Sequence, residues 1–391
     1  MRDIIMISSV HPITDTRIYE KEAVSLAESG FSVHLYGIAE GGAASPVENL
    51  TLHSLRKRAR TSRILTVFHL SREIGKYNHP IVHLHDPELL LLPVLRRFNK
   101  NVTFIYDMHE HFPSTIRTKE WLPALIRRPL SWLCARAEKA AMRRCEAVLF
   151  AESYYSSYYS SYYRETSAEP LTILNYPLNR KRQTKKVYKG RSIRLVYAGA
   201  VSTGRGFKEM LFLAKRLKEE KIPFTLDIVG RVPQELAVWA GGFLSFHQLQ
   251  EKVQLHGRLP FREVDQIYQK SDIGLCLLHP EENYVQSMAT KIYEYMQYSL
   301  PVLASNFPKW KELIAEAECG FTGDPFDTEW TVGAVKQLHA DREQLHRLGE
   351  NGVRMCRRHY QWDTQAEKLI GLYDRLMKEE GYESPVSSSA L

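Results

Sequence analysis

The sequence predicts an α/β fold with two domains, each built on a parallel sheet. The chain has 391 residues, more than one domain usually holds and natural for two. Short apolar stretches alternate with amphipathic stretches along the chain, as strands alternate with helices around a parallel sheet. A basic, polar stretch interrupts this alternation over residues 178–192. We therefore expect an N-terminal domain over residues 1–177, a linker over 178–192 and a C-terminal domain over 193–360.

The first domain opens with the strand-like run "RDIIMISSV". The next segment, "RIYEKEAVSLAESG", places Ile18, Ala23 and Leu26 at helical spacing, and Gly30 marks the end of the helix. Four later stretches have the composition of buried strands: "FSVHLYG", "IVHLHD", "VTFIYDMHE" and "CEAVLFAE".

The second domain repeats the pattern after the linker. Five stretches are predicted to be buried strands: "IRLVYAGAV", "FTLDIVGR", "VQLHGRL", "SDIGLCLL" and "PVLAS". An amphipathic helix follows over residues 361–380, and its own pattern would allow it to pack on either domain. The last residues, 384–391, are predicted to be disordered.

The composition narrows the classes of function. Apolar residues make up 44% and charged residues 25%, as in ordinary globular proteins. No apolar run approaches the roughly 18 residues of a membrane span. The five cysteines form no C-x-x-C pair, and the N-terminus lacks a signal-peptide layout, so we expect a cytoplasmic protein. The net charge of +8 favours an anionic partner: nucleic acid, phospholipid or a phosphorylated small molecule.

Ligands of parallel α/β sheets bind beyond the carboxyl ends of the strands, and two segments of the second domain meet this condition. In "AGAVSTGRGFKEM", Gly199 allows close backbone approach and glycines flank Arg205 at a helix start. This arrangement indicates an anion site, although a glycine-rich turn with a solvated arginine is the alternative.

The other segment is "EENYVQSMATKIYEYM", whose helix is predicted to begin near Ser287. Its free N–H groups would face the same crevice as Arg205. Lys291 adds a positive charge, and Glu294 follows on the same helix face. The alternative is that Lys291 and Glu294 form a surface ion pair.

Polar residues also follow three predicted strands of the first domain. They include histidines and carboxylates, which could bind zinc, form a polar pocket for hydroxyl groups, or be structural. No H-x-x-x-H or H-x-x-E-H spacing supports a zinc site. The residues are His11, Asp15 and Arg17, then His83, His85 and Asp86, then His109, Glu110 and His111.

Several motifs, in this order along the chain, resemble those of the family 4 retaining glycosyltransferases. They are "HPITDTRIYEKEAVSLAESGFSVHLYG", "HLHDPELL", "FIYDMHEHFP", "LTILNYP", "VYAGAVSTGRGFKEM", "VQLHGRLPFREVDQIYQKSDIGLCLL", "KIYEYMQYSLPVLAS" and "HYQWDTQAEKLIGLY". The resemblance implies the GT-B fold, with two facing Rossmann-like domains and a cleft between them. It also implies that the helix at 361–380 crosses back to the first domain.

The resemblance implies that the C-terminal domain binds a nucleotide-diphosphate sugar and the N-terminal domain binds the acceptor. The implied donor-binding residues are Gly199, Arg205, Gly206, Arg258, Gln286, Thr290, Lys291 and Glu294. Four residues would take part in catalysis: His109, Arg205, Lys291 and Glu294. The implied acceptor cleft contains His11, Asp15, Arg17, His85, Asp86 and Glu110.

Two positions depart from the family pattern. Gln286 stands where the first of two glutamates is usual, and an amide carries no charge there. Ala200 follows Gly199 where many members carry an arginine. No D-x-D motif is present, so we expect a metal-independent enzyme without a cofactor. The resemblance implies retention of anomeric configuration. We expect a same-face mechanism, because no carboxylate stands out as the nucleophile that a double displacement would need.

The segment "WLPALIRRPLSWLCARAEKAAMRRC" mixes tryptophan and leucine with arginine and lysine. It suits either an interfacial helix on anionic lipid, at the inner face of the plasma membrane, or a solvated basic face. The membrane interpretation would favour a lipid-linked acceptor, for cell-surface polysaccharide or glycolipid synthesis. Two other functions stay open: a nucleotide-sugar epimerase on the same fold and a basic nucleic-acid-binding protein. No known nucleic-acid module is present, so we expect no nucleic-acid partner.

Overall fold

The computed structural model divides the chain into two compact units. The N-terminal unit comprises Met1–Asn175 and Trp362–Leu391, and the C-terminal unit comprises Tyr176–Gln361. The structure describes residues 2–39, 45–59, 62–96, 101–109, 111–118, 122–159, 168–179 and 192–386. Most of the predicted linker (178–192) and the end of the predicted tail (384–391) lie outside these ranges.

The N-terminal unit is a parallel sheet with helices between its strands. Its strands are β1 (Ile4–Pro12), β2 (Val33–Ile38), β3 (Leu50–Leu55), β4 (Ile81–Leu84), β5 (Thr103–Met108), β6 (Ala147–Phe150) and β7 (Glu169–Thr172). A π-helical segment, Thr16–Ala23, leads into α1 (Val24–Glu28), and a 3-10 turn, Pro87–Leu90, leads into α3 (Leu91–Leu95). The other helices before residue 176 are α2 (Arg63–Ile74), α4 (Phe112–Thr118), α5 (Ala124–Met142) and α6 (Ser153–Tyr158).

The strands of this sheet lie in the order β3-β2-β1-β4-β5-β6-β7, and the pairs are parallel. Strands β4 and β5 are buried along their length and β1 over its first six residues, which explains their near-continuous apolar sequences. Strand β3 was not predicted from the sequence. It lies at the sheet edge with Thr51 exposed, so it lacks the apolar run that marks the others.

The C-terminal unit has the same architecture. Its strands are β8 (Ile193–Ala198), β9 (Phe224–Val229), β10 (Val253–Gly257), β11 (Ile273–Cys276), β12 (Val302–Ser305) and β13 (Gly320–Gly323). A 3-10 turn, Thr203–Arg205, leads into α7 (Phe207–Glu219). The later helices are α8 (Gln234–Phe246), α9 (Phe261–Lys270), α10 (Glu282–Gln286), α11 (Thr290–Gln297), α12 (Pro308–Ala317), α13 (Thr328–Ala340) and α14 (Arg342–His359).

This second sheet has the order β10-β9-β8-β11-β12-β13. In both sheets the chain moves outward from the first strand on one side and then on the other, which is the Rossmann-type order. The order reverses between β1 and β4 and between β8 and β11, which are the points where open α/β sheets typically bind ligands. The edge strand β13, "GFTG", was not predicted because its short, glycine-containing sequence has little apolar signal.

The prediction of one helix beginning near Ser287 was wrong. Instead α10 ends at Gln286 and a separate helix, α11, begins at Thr290. The break matters for the site, because Lys291 is the second residue of α11 and thus lies in its first turn.

The last helix, α15 (Trp362–Glu379), belongs to the N-terminal unit. Trp362 Nε1 donates to Ser25 Oγ over 2.8 Å, and the Tyr373 hydroxyl lies 2.9 Å from His83 Nδ1. Both aromatic side chains are buried, so α15 is part of this unit's core.

Candidate active site

A cavity of about 500 Å³ lies at the carboxyl end of β8 in the C-terminal unit. It is lined by Ala198, Gly199, Ala200, Val201, Arg205, Val229, Gly230, Arg231, Arg258, Leu259, Phe261, Val264, Tyr268, Thr290, Lys291 and Glu294. Six of the eight predicted donor-binding residues are among them. The cavity therefore lies where the sheet order predicts a ligand, and its size suits a small molecule.

The charge of this cavity is strongly positive. Four cationic side chains line it, against a single carboxylate. The cations are Arg205, Arg231, Arg258 and Lys291, and the carboxylate is Glu294. Such a concave cationic site attracts an anion, and arginine in particular matches the geometry of phosphate oxygens.

Arg205 is held against two tyrosines. Its guanidinium carbon lies 5.4 Å from the centre of the Tyr284 ring. Burial disfavours the charge, but interactions with Tyr197 and Tyr284 outweigh burial and raise the pKa of Arg205 above its ordinary value. Arg205 therefore stays protonated at any physiological pH.

Lys291 is buried, and its Nζ lies 5.0 Å from the centre of the Tyr197 ring. This is a cation–π contact in a desolvated setting. Among the ion pairs of the described residues, none joins Lys291 to Glu294, so the surface ion pair considered above is not what the structure contains. Lys291 instead directs its charge to the end of β8, beside Gly199.

Glu294 is fixed from behind by a buried tyrosine. The Tyr268 hydroxyl donates to Glu294 Oε2 over 2.8 Å, and Tyr268 itself is fully buried. This contact orients the carboxylate at the cavity wall and leaves its other oxygen, Oε1, to accept from a ligand.

Two predicted donor residues do not line the cavity. Gly206 has a φ of 76°, and a Cβ there would lie 1.9 Å from the carbonyl oxygen of Leu277, so glycine is required for packing at the start of α7. Gln286 ends α10, and its carbonyl oxygen accepts from Lys309 Nζ over 2.8 Å.

Sequence reasoning missed Arg231 and Tyr268 in this cavity. Arg231 follows β9 directly, in "DIVGR", and the same strand-end rule that selected Arg205 would have found it. Tyr268 lies on α9 among residues of amphipathic pattern, and no local signal separates it from an ordinary core tyrosine.

The N-terminal unit contains a buried charge network centred on Arg17. Its guanidinium binds Asp107 through Nε at 3.0 Å and through its second terminal nitrogen at 3.1 Å, and Nε also lies 2.9 Å from Glu22 Oε1. The other terminal nitrogen donates to the Ile173 carbonyl oxygen over 2.9 Å. Arg17 is thus buried in the core of the unit, whereas the resemblance implied that it lies in the acceptor cleft.

His109 and His85 extend this network. His109 Nε2 lies 2.9 Å from Asp107 Oδ2, and His85 Nδ1 lies 3.3 Å from His109 Nε2. Burial raises the pKa of Asp107, but Arg17 and His109 more than compensate and hold it well below its usual range. Burial lowers the pKa of His85, which favours its neutral form. Asp107 therefore stays a carboxylate that orients the His109 ring.

The remaining cleft predictions lie at the end of β1 and β4. His11 Nδ1 lies 3.5 Å from Asp15 Oδ2, and its Nε2 lies 3.7 Å from Asp86 Oδ1. Asp86 accepts from Ser8 Oγ and from the Ser9 backbone, which holds the two strand ends together. Glu110, the last predicted cleft residue, lies outside the described residues.

Asp15 caps the helical segment that carries Arg17. Its Oδ1 accepts from the backbone N–H groups of Arg17 and Ile18. Burial opposes its charge, but hydrogen bonds from His11 and Ile18 lower the pKa of Asp15 to about 2. The structure thus gives this aspartate a local capping role.

Four buried side chains of this network have the donor set of a cation site. Ligand atoms of Glu22, His83, His85 and Asp107 lie within 4.8 Å of one another. Arg17, however, already contacts both carboxylates. A divalent ion here would have to overcome the repulsion of this guanidinium, so the cluster is better described as a buried ion-pair network.

Two family models match the chain in succession. The model described as "Glycosyltransferase Family 4" matches residues 21–175, and the model "Glycosyl transferases group 1" matches residues 179–355. A curated protein, spore coat protein SA of Bacillus subtilis (strain 168), is 24% identical over 115 residues. That match covers 29% of this chain and 29% of the relative's length.

Solved structures with the same fold are numerous. Sucrose-phosphate synthase from Thermosynechococcus elongatus has a TM-score of 0.74 and 16% identity, covering 97% of this chain and all of that one. The Anabaena protein HepE, solved in complex with UDP, has a TM-score of 0.68 and 10% identity, covering 96% of this chain and 100% of that one. These likenesses show the GT-B fold of two Rossmann-like domains.

The matches do not favour the epimerase alternative, because both family models describe glycosyltransferases. They agree with the order of motifs along the sequence and with the two sheets of Rossmann-type order. This chain belongs to the family 4 type of GT-B glycosyltransferases.

Proposed function

We propose that this enzyme transfers a sugar from a nucleotide-diphosphate sugar to a hydroxyl acceptor, with retention of anomeric configuration and without a metal ion. The observation that carries the proposal is the cationic cavity of the C-terminal unit, with its single carboxylate. Its four cations would bind the diphosphate of the donor, and its carboxylate, Glu294, would accept hydrogen bonds from the ribose hydroxyls.

The diphosphate becomes more negative as the glycosidic bond breaks. Cations held in place before the reaction stabilise this charge most in the transition state, where it is largest. Arg205 and Lys291 are both partly or fully desolvated and held against aromatic rings, so little reorganisation is needed. Arg231 and Arg258 add charge at the same cavity. These four side chains would do the work that a divalent ion does elsewhere.

Retention is best explained by a same-face reaction. The only carboxylate lining the cavity, among the described residues, is Glu294, and Tyr268 already orients it. We assign it to the ribose hydroxyls. The acceptor oxygen would bond to the anomeric carbon as the bond to the diphosphate oxygen breaks, on the same face. The acceptor proton would pass to that diphosphate oxygen. His109, oriented by Asp107, would assist by positioning the donor sugar.

HepE, a protein of the same fold, has been solved with UDP and with UDP-glucose, which supports a nucleotide-sugar donor here. The direct test is a thermal-shift panel of UDP-, GDP- and ADP-sugars, each measured with EDTA and with magnesium. We expect one nucleotide class to raise the Tm equally under both conditions. Stabilisation only with magnesium would contradict metal independence, and no stabilisation by any nucleotide would contradict the donor assignment. NMR of the product's anomeric proton would decide retention.

We also propose that a saccharide or lipid-linked saccharide is the acceptor, and that an anionic membrane surface is a partner on the cytoplasmic side. No helix among the described residues is long and apolar enough to cross a membrane. Helix α5 instead presents apolar side chains to solvent, with Leu125 92% exposed and Trp132 and Leu133 more than half exposed. Arg128 and Arg136 are exposed on the same helix. Its only acidic residue is buried, so the exposed face suits anionic lipid.

Vesicle co-sedimentation tests this surface. We expect binding to vesicles of phosphatidylglycerol and phosphatidylcholine, weaker binding to phosphatidylcholine alone, and loss of binding in Leu125→Glu. Phe246→Glu, which changes an apolar residue of α8 that is 83% exposed, is the matched control and should bind normally. Equal binding by both variants, or equal loss in both, would contradict the role of α5.

A further inference from the structure

A second cavity, of about 330 Å³, lies in the N-terminal unit, and we call it the α5 groove. Its walls are apolar: Leu90, Leu91 and Val94 on one side and Cys134, Ala137 and Ala141 of α5 on the other. Phe112, the first residue of α4, also lines it. The groove does not belong to the cationic cavity, which is built from the other unit.

The position of the α5 groove is that of a ligand site. One wall begins at Pro87, just beyond the end of β4, and Phe112 follows the end of β5. In open α/β sheets, ligands bind beyond these carboxyl ends. Ala137 is exposed and lies one helical turn from Leu133, so the groove opens next to the exposed apolar face of α5.

Two carboxylates interrupt the apolar walls, and they differ in their partners. Glu88 Oε1 accepts from Ser9 Oγ over 3.0 Å and from a terminal nitrogen of Arg63 over 3.1 Å. Glu138 is buried, and one oxygen, Oε2, accepts from the Tyr159 hydroxyl. Its other oxygen, Oε1, is buried without a hydrogen bond of ordinary geometry, although the buried Tyr106 hydroxyl also interacts with this carboxyl group. A buried polar atom without such a bond is costly, which points to a further partner such as a ligand.

We propose that the α5 groove binds the apolar, alkyl-type segment of an amphiphilic acceptor, with Glu138 Oε1 bonded to a neutral hydroxyl or amide beside that segment. The apolar walls exclude a free saccharide or a phosphate as the occupant of the groove, because either would lose hydration there without replacement. Burial raises the pKa of Glu138 to about 7, against the opposing effects of hydrogen bonds from Tyr159 and Tyr106, and a group that is largely protonated suits a neutral partner. Calling this ligand the acceptor rests on the proposed transferase function, whereas the binding of an alkyl segment in the α5 groove does not.

Cys134 makes the test specific to this site. It lines the groove and is partly exposed, whereas the other four cysteines are buried. N-ethylmaleimide should therefore alkylate Cys134 first in the folded protein, at a rate that mass spectrometry can follow. We would measure this rate with n-octyl β-D-glucopyranoside, below its micelle concentration, and with the same concentration of methyl β-D-glucopyranoside. We expect the octyl glucoside to slow alkylation several-fold and the methyl glucoside to leave the rate unchanged.

Matched variants on α5 separate groove binding from general adsorption. Ala137→Phe narrows the groove and should abolish the octyl effect, whereas Ala140→Phe changes an exposed residue outside the groove and should keep it. Glu138→Leu should weaken the binding of octyl glucoside about two- to tenfold relative to Glu138→Gln, which is the contribution of one neutral hydrogen bond. Equal rates with both glucosides would overturn the proposal, and so would an octyl effect that Ala137→Phe retains. Because alkylation needs no nucleotide sugar, either result is independent of the donor-binding test.

Discussion

Glu294→Ala is the substitution that most directly tests the donor site. In the wild type, Tyr268 donates to Oε2 of Glu294, which leaves Oε1 at the wall of the cationic cavity. The alanine removes the acceptor for ribose hydroxyls and also leaves the buried Tyr268 hydroxyl without this partner. Glu294→Gln removes only the charge and keeps an amide oxygen, so the pair of variants separates charge from contact.

The structure sets the size of both effects. A hydrogen bond to a charged group contributes about 1.5–3 kcal/mol, and one between neutral groups about 0.5–1.5 kcal/mol. Glu294→Ala should therefore weaken nucleotide binding by about 10- to 150-fold, and Glu294→Gln by about 5- to 15-fold. The alanine variant should also lose about 1–3 kcal/mol of stability through the unpaired Tyr268 hydroxyl. The glutamine variant should lose less, because its amide can still accept from Tyr268.

Isothermal titration calorimetry with the nucleotide that the thermal-shift panel identifies measures the affinities, and urea unfolding measures the stabilities. Glu312→Gln is the control, because Glu312 is exposed on α12 and does not line the cavity. It should bind with the wild-type Kd. A wild-type Kd in Glu294→Ala would refute the assignment of this carboxylate to the donor.

Three further outcomes follow from the charges. Arg205→Gln should lower kcat about 100- to 1,000-fold, with a smaller change in Kd, in a radiolabelled-sugar transfer assay. The control Arg216→Gln, on α7 but outside the cavity, should be active. An unchanged kcat in Arg205→Gln would contradict its assignment to the diphosphate. Asp107→Asn should lose about 3–5 kcal/mol in urea unfolding, because it removes the charge of the carboxylate that the buried Arg17 guanidinium contacts through two nitrogens. A loss below about 1 kcal/mol would contradict the network. Folding raises the pKa of Glu138 from 4.5 to about 7, so the folded state holds a proton that the unfolded state releases between these pH values. The free energy of unfolding of the wild type should therefore fall by up to about 3 kcal/mol relative to Glu138→Gln as the pH rises from 4.5 to about 7. Parallel stability curves of the two proteins would contradict this shift.

Much of the fold is visible in the sequence because buried parallel strands need nearly continuous apolar residues. Strands β1, β4, β8 and β11 have such runs, and each was predicted. The edge strands β3 and β13 were missed, since one side of an edge strand pairs with nothing and its residues are partly exposed. An apolar run in the sequence reflects the burial of a strand, so strands that are only partly buried are the hardest to predict.

The cationic cavity was partly predictable for a different reason. Arg205 and Lys291 follow strands that end at the same sheet edge, and the strand-end rule needs only the order of elements. Arg231 obeys the same rule and was overlooked. Tyr268 was not predictable, because its role depends on the approach of α9 to α11, which no local pattern encodes.

By itself the sequence determined two α/β units, the family and the cationic residues at the strand ends of the C-terminal unit, because these depend on composition, periodicity and the order of motifs. Only the tertiary structure decided which charged side chains line a cavity and which are paired in the core. It places Arg17 at the centre of a buried ion-pair network, in contact with Asp107, which lies 90 positions away in the sequence. It also leaves Glu138 Oε1, in an apolar groove, without a hydrogen bond of ordinary geometry. Pairing and desolvation depend on distances between residues far apart in the chain, and the sequence alone does not specify those distances.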